Sequence, residues 1–98
     1  MTGSVRQEIV EQLREGQMTA KELSRTLGVR EREVYDHLGH VRRSLAAGGS
    51  ERLVVEPAYC LACGWAFRKR GRLTVPSRCP VCRSSHVAEP RFSVEGHK

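Results

Sequence analysis

Four cysteines in two close pairs constrain this 98-residue chain more than any other feature: Cys60-Leu61-Ala62-Cys63, fifteen intervening residues, then Cys79-Pro80-Val81-Cys82. Two residues between cysteines let both sulfurs of a pair reach one ion from a tight turn whose backbone N–H groups point at the thiolates. A second such turn completes a tetrahedron, and the fifteen residues fit a hairpin that brings the turns together. Gly64 relieves crowding after the first pair, and Pro80 stiffens the second. No histidine or carboxylate stands beside the cysteines at ligand spacing. A closed four-thiolate site offers no open position to water or substrate, which points to structure rather than catalysis.

Zinc is the expected ion. Cys-x-x-Cys-Gly and Cys-Pro-x-Cys also resemble the two knuckles of rubredoxin, so iron is the alternative. Two disulfides would suit an exported chain, but Met1 to Val10 holds no apolar run of signal-peptide length. A redox thiol pair would sit at a helix start in a thioredoxin-like fold. A cytoplasmic protein with no membrane span is therefore expected.

A half-chain of this size buries little apolar surface, so a metal is physically called for. The charge is unevenly placed. The net value is +6 with a pI near 9.7, which favours a polyanionic partner. Residues 1–49 carry eight Lys/Arg against seven Asp/Glu, while residues 50–98 carry nine against four. Between Pro57 and Ala88 there is no acidic residue, and Arg68, Lys69, Arg70, Arg72, Arg78 and Arg83 fall inside. These basic residues suit phosphate contact, and they also offset the negative charge of a four-thiolate zinc site.

Upstream, apolar spacing predicts three helices. Val5, Ile9 and Leu13 make one stripe from Ser4 to Glu15, with Ser4 and Gln7 as a capping box and Gly16 as the stop. Thr19 and Glu22 form a second capping box, with Met18 and Leu23 placed as a hydrophobic staple, for a helix ending at Leu27 before Gly28. Val34, Leu38, Val41 and Leu45 define a third helix from about Arg30 to Leu45, and Ala46 to Ser50 reads as a loop. Arg52 to Glu56 is a β-branched strand ended by Pro57, and Ala58 and Tyr59 should return as the second strand of a wing. Trp65 and Phe67 alternate on one strand face, and Val87 with Phe92 to Val94 supplies a closing strand before frayed residues Glu95 to Lys98.

Helix, glycine turn, helix is a DNA-binding arrangement. At about 100° per residue, the side of the third helix opposite Val34 carries Arg32, Glu33, Asp36, Gly39, His40 and Arg43. Arg30, Arg32, Glu33 and Asp36 are the base-reading candidates, because arginine can take two acceptors of guanine and a carboxylate can accept from cytosine. His40, Arg42 and Arg43 would contact phosphates, and Gly39 would let the backbone approach one. Tyr35 lies on the flank, suited equally to phosphate contact and to packing. The two carboxylates on this side repel phosphate, and a protein surface is the competing reading.

The whole chain resembles a family of predicted prokaryotic transcriptional regulators, best known from archaea, in which a winged helix-turn-helix is fused to a C-terminal zinc ribbon. The likeness is carried by Thr19-Ala20-Lys21-Glu22-Leu23, by Val34-Tyr35-Asp36-His37-Leu38, and by Pro57-Ala58-Tyr59-Cys60 through Gly64-Trp65-Ala66-Phe67. Arg78-Cys79-Pro80-Val81-Cys82 and Pro90-Arg91-Phe92 complete it. The resemblance implies a DNA-binding regulator, and rubredoxin-like ribbons among such proteins keep iron beside zinc.

The expectation is thus an α+β chain. Residues 1–58 form a three-helix winged helix-turn-helix and residues 59–95 a small antiparallel zinc ribbon, with Cys60, Cys63, Cys79 and Cys82 on the metal. Double-stranded DNA is the expected partner, met by α-helical residues and by Arg68, Lys69, Arg70 and Arg72, and homodimers on a palindrome are compatible. The alternatives are an accessory factor bound to RNA polymerase or another transcription protein, and a metal or redox sensor. An enzyme is not expected: there is no Gly-rich phosphate loop and no nucleophile–base pairing.

Overall fold

A computed structural model of the chain describes residues 4–68 and 73–96. The element order is α1 (Val5–Glu15), α2 (Ala20–Leu27), α3 (Glu31–Gly48), β1 (Glu51–Glu56), β2 (Tyr59–Cys60), β3 (Val87–Ala88) and β4 (Arg91–Gly96). It is an α+β structure of three helices and two small antiparallel sheets.

The helix starts follow from their caps. The Ser4 hydroxyl accepts from the Gln7 N–H at 3.3 Å. At Thr19 the box is reciprocal: its hydroxyl accepts from the Glu22 N–H, and the Glu22 carboxylate accepts from the Thr19 N–H. Two orphan donors of α2 are thereby satisfied. Gly28 ends α2 in the left-handed region (φ 69°), where a side chain would be strained, and its N–H donates to Ser24 O. The third helix runs three residues beyond its expected end, through Ala46, Ala47 and Gly48. Alanine is the strongest helix former, and the left-handed stop falls instead on Gly49 (φ 78°).

One core serves the helices. Ile9, Leu13, Ala20, Leu23, Val34 and Leu38 are buried together, with Val5, Met18, Leu27, Val29 and Leu45 packed around them. Into the same core come Leu73, Phe92 and Val94, from more than thirty positions downstream of α2. Phe92 is fully buried.

The strand pairing departs from expectation at this point. The predicted return of β1 through Ala58 and Tyr59 is not made. β1 pairs antiparallel with β4, from Glu51 opposite Gly96 to Glu56 opposite Arg91. Two further bonds, Met18 N–H to Phe92 O at 3.0 Å and Phe92 N–H to Met18 O at 2.9 Å, add Met18, the residue before the N-cap of α2, to the other edge of β4. Tyr59 and Cys60 pair instead with Ala88 and Val87. The reason is the alternation in β4: Phe92 and Val94 present one apolar face that only the helical core can bury, and Pro57 prevents β1 from turning tightly into its successor. Glu95 and Gly96, expected to fray, are held opposite Arg52 and Glu51. The chain thus leaves the helical unit after β1, builds the cysteine ribbon, and returns to the helices through β4.

Candidate metal centre and helix surface

Each cysteine pair sits on a knuckle, and the two knuckles are built alike. In the first, the Gly64 N–H donates to Cys60 O at 2.8 Å with Gly64 left-handed at φ 81°. In the second, the Arg83 N–H donates to Cys79 O at 2.9 Å with Arg83 left-handed at φ 63°. Arg83 is the one non-glycine residue with positive φ among the described residues. A knuckle needs that conformation after its second cysteine, and glycine supplies it without a Cβ clash only in the first. The knuckles are further tied by Cys60 N–H to Trp65 O, Leu61 N–H to His86 O and Cys79 N–H to Ser84 O.

The four sulfurs lie within 4.8 Å of one another. Cys60 Sγ is 3.4 Å from Cys82 Sγ, and Cys63 Sγ is 3.7 Å from Cys79 Sγ. Four thiolates at the zinc–sulfur bond length occupy tetrahedron corners about 3.8 Å apart. The residues present therefore fit one tetrahedral ion, and all four thiols are free of disulfides. Cys60 and Cys79 are buried, and Cys63 and Cys82 are exposed.

Backbone amides reinforce the fit. The Cys63 N–H reaches Cys60 Sγ at 3.4 Å, and the Val81 N–H reaches Cys79 Sγ at 3.4 Å. Burial pushes the Cys60 thiol up, but the amides of Cys63 and Ala62 and the Cys82 thiol outweigh it and draw Cys60 down to about 6. Cys79 is likewise lowered: burial opposes, and the Cys82 and Val81 amides prevail. Cys63 goes the other way, to about 12, because burial and the three other sulfurs overcome the Trp65 amide. Thiols this close do not all ionise by themselves. A divalent cation removes that conflict, which is why the cluster suits a metal. When bound, zinc cross-links the knuckles and supplies folding free energy; with four protein ligands it presents no site for substrate.

The ribbon's exposed apolar side chains surround this centre. Leu61 and Val81, one on each knuckle tip, are 60% and 62% exposed, and Trp65 is 40% exposed. Trp65 meets Phe67 edge-on, with ring centroids 4.8 Å apart, although the strand expected there is reduced to a single bridge between Tyr59 and Ala66.

The expected reading face of α3 is at the surface. Arg30, Arg32, Glu33, Asp36, His40, Arg42 and Arg43 are all exposed, while Val34, Leu38 and Val41 are buried on the opposite side. Arg30 is the N-cap of α3 and makes no capping bond with its side chain. Gly39 is half-buried, and a Cβ built there would meet nothing within 4 Å. Tyr35 is turned inward. Its hydroxyl oxygen is buried with no hydrogen-bond partner among the described residues, and burial, with Glu31 and Glu89 nearby, raises its pKa to about 12. This placement favours packing over phosphate contact. Arg68 is exposed beside Pro57, Phe67 and Pro90, whereas Lys69, Arg70 and Arg72 lie outside the described residues.

Two family models account for almost the whole chain. Residues 4–54 match "PF0610-like, N-terminal", and residues 57–97 match "PF0610 rubredoxin-like zinc beta-ribbon domain". The chain belongs to the PF0610-like family. Its structure is similar to the solution NMR structure of protein PF0610 from Pyrococcus furiosus, with a TM-score of 0.78 and 33% sequence identity over 100% of this chain and 95% of that one. No curated protein matches. As in that family's ribbon, the centre here is a rubredoxin-like zinc site of four cysteines. No helix among the described residues is long and apolar enough to cross a membrane.

Two features escaped the sequence. One is the left-handed Arg83, which superposing Cys79–Arg83 on Cys60–Gly64 would have revealed. The other is Arg6, an exposed residue of α1 that lines a surface groove with Val41, Ser44 and Leu45 of α3 and whose charge helps lower the pKa of His40.

Proposed function

We propose that the chain is a sequence-specific, double-stranded-DNA-binding transcriptional regulator whose zinc is structural. In this reading α2, the Gly28 turn and α3 act as a helix-turn-helix. β1 and β4 are the two strands of the wing, and the zinc ribbon replaces the loop at the wing's tip. The observation that carries it is the exposed side of α3. Arg32, Glu33, Asp36, His40 and Arg43 are displayed together on a helix whose other side is fixed in the core. Among the described residues none of these five forms an ion pair, so apart from the Arg43–His40 contact their hydrogen-bonding capacity is available to base edges and phosphates. The ribbon adds Arg68, Arg78 and Arg83 in a segment without acidic residues. In this reading the protein is not an enzyme, because an ion held by four protein ligands would keep no open position for substrate. The working compartment is the cytoplasm, where thiols remain reduced.

A gel shift on the gene's own upstream region tests the reading. Wild-type protein should give a specific shift, and Arg32→Ala should weaken it about tenfold or more on the preferred sequence while leaving scrambled DNA little changed.

One observation favours a second reading, an accessory factor docked on RNA polymerase or another transcription protein. Leu61, Val81 and Trp65 leave apolar surface around the knuckles. Only weak, sequence-blind shifts from both proteins, together with polymerase capture that Leu61→Ser and Val81→Ser abolish, would decide for it.

A further inference from the structure

Three basic side chains from two helices are displayed where α1 lies against α3. His40 and Arg43 stand one turn apart on α3, and Arg43 Nη2 lies 3.2 Å from His40 Nδ1. A guanidinium only donates, so Nδ1 must be the accepting nitrogen and the ring proton sits on Nε2. Arg6 of α1 faces the same side of α3, where it lines one surface groove with Val41, Ser44 and Leu45, the neighbours of Arg43. Among the described residues none of the three forms an ion pair. The charged or titratable groups acting on the His40 ring are Arg6 from α1 and Arg43, His37 and Asp36 from α3 itself. Only Asp36 is acidic. Two guanidiniums and an imidazole on one exposed edge, with one carboxylate opposing them, suit an anion.

We propose that Arg6, His40 and Arg43 form a clamp for one phosphodiester of the DNA backbone, with His40 donating from Nε2. The inference rests on the DNA-binding reading above and adds to it a contact from the first helix and a coupling to protons. In the free protein the cations, Arg6 first, hold His40 below its usual value, and Asp36 only partly offsets them. A bound phosphate reverses the local sign and stabilises the imidazolium. The proton enters at Nδ1, where the lone pair accepting from Arg43 is taken up, and Arg43 is released to donate to the same phosphate. Binding is therefore linked to uptake of one proton, and affinity rises as pH falls through the range where neutral His40 would otherwise persist.

Fluorescence anisotropy of two labelled duplexes, the gene's upstream region and a scrambled sequence, tests this against salt and pH. Arg6→Gln should weaken both duplexes alike and reduce the slope of log affinity against log salt by about one, and Arg6→Lys should restore the slope. Between about pH 7.5 and about pH 5.5 wild-type affinity should rise by up to about tenfold, the effect of a one-unit shift in one group. His40→Gln should flatten that rise, whereas His37→Gln should leave it. Wild-type binding with a salt slope untouched by Arg6→Gln, or a pH profile untouched by His40→Gln, overturns the clamp alone. Absence of wild-type binding to either duplex at low salt overturns the DNA reading and the clamp with it.

Discussion

Among the described residues the largest fully buried side chains of the helical unit are Ile9, Leu13, Leu23, Val34, Leu38 and Phe92, while those of the ribbon are Cys60 and Cys79. Each large apolar side chain withdrawn from water contributes about 1.5–3 kcal/mol, so the helices carry their own driving force for folding. The ribbon does not. Of its larger apolar side chains Leu61, Val81, Tyr59 and Trp65 are at the surface, and Phe67 is only half-buried. What replaces a core there is a cross-link of four sulfurs through one ion, with backbone amides aimed at the thiolates. One half is held by area and the other by coordination, and β4 couples them, because Phe92 and Val94 reach the helical core from the ribbon's far end.

Metal removal breaks the comparison most severely. Structural zinc binds such sites with about 10–16 kcal/mol, far beyond what the small ribbon can supply otherwise. Chelation, or Cys79→Ser, should unfold the ribbon and shift the emission of Trp65, the single tryptophan, towards that of exposed indole. The far-UV helical signal should largely survive, with a lower melting temperature because β4 has lost its continuation. A ribbon that keeps its Trp65 environment without metal would end the claim that coordination holds it. Next in size is Phe92→Ala, expected to cost about 3–5 kcal/mol by urea denaturation. Its loss should appear in the helical signal, although the residue lies within the ribbon part of the sequence.

Those two predictions also mark what was legible. The cysteine spacing alone placed the metal centre, because four-ligand geometry tolerates few alternatives. The caps at Ser4 and Thr19 and the turn at Gly28 placed the helices, because these are local interactions between residues three or four apart. Strand partners were another matter. The alternation in β1 does show which side packs on the core, Leu53 and Val55 rather than Arg52 and Glu56, but not which strand lies beside it; that is decided by what β4 must bury, some forty positions later. That is a long-range term no local pattern contains. The same holds for Arg6, whose role depends on where α1 lies against α3.

Smaller effects sharpen the contrast between conformational and packing control. Gly39 lies inside α3 with open space where a Cβ would go, so Gly39→Ala should stabilise the free protein by about 1 kcal/mol. If the α3 backbone at this point approaches a phosphate, the same variant should bind DNA more weakly. Stability up and affinity down, measured by melting and by anisotropy, is the expected combination. In the ribbon, Arg83→Gly should relieve the left-handed strain of the second knuckle, a gain of up to about 1 kcal/mol after the entropic cost of glycine. Zinc retention against a competing chelator should improve accordingly.

The least costly contact to lose is the brace between the end of α1 and the start of β1. Arg14 holds Glu51 in two bonds, Nε to Oε2 at 2.7 Å and Nη2 to Oε1 at 2.6 Å. The guanidinium hydrogen bond lowers the Glu51 carboxyl below its usual value near 4.5, while Glu51 raises Arg14. A carboxyl with a depressed value in the folded state binds fewer protons there than in the unfolded chain. Its stabilisation is therefore complete above the unfolded value and disappears as pH falls through the folded one. The pair is exposed, so solvent and salt reduce its worth. Urea midpoints of wild type and Glu51→Gln should differ slightly at neutral pH, converge below the ordinary carboxylate range, and converge also in high salt. A difference that persisted in acid would mean that Glu51 acts by packing against β4 rather than by its charge.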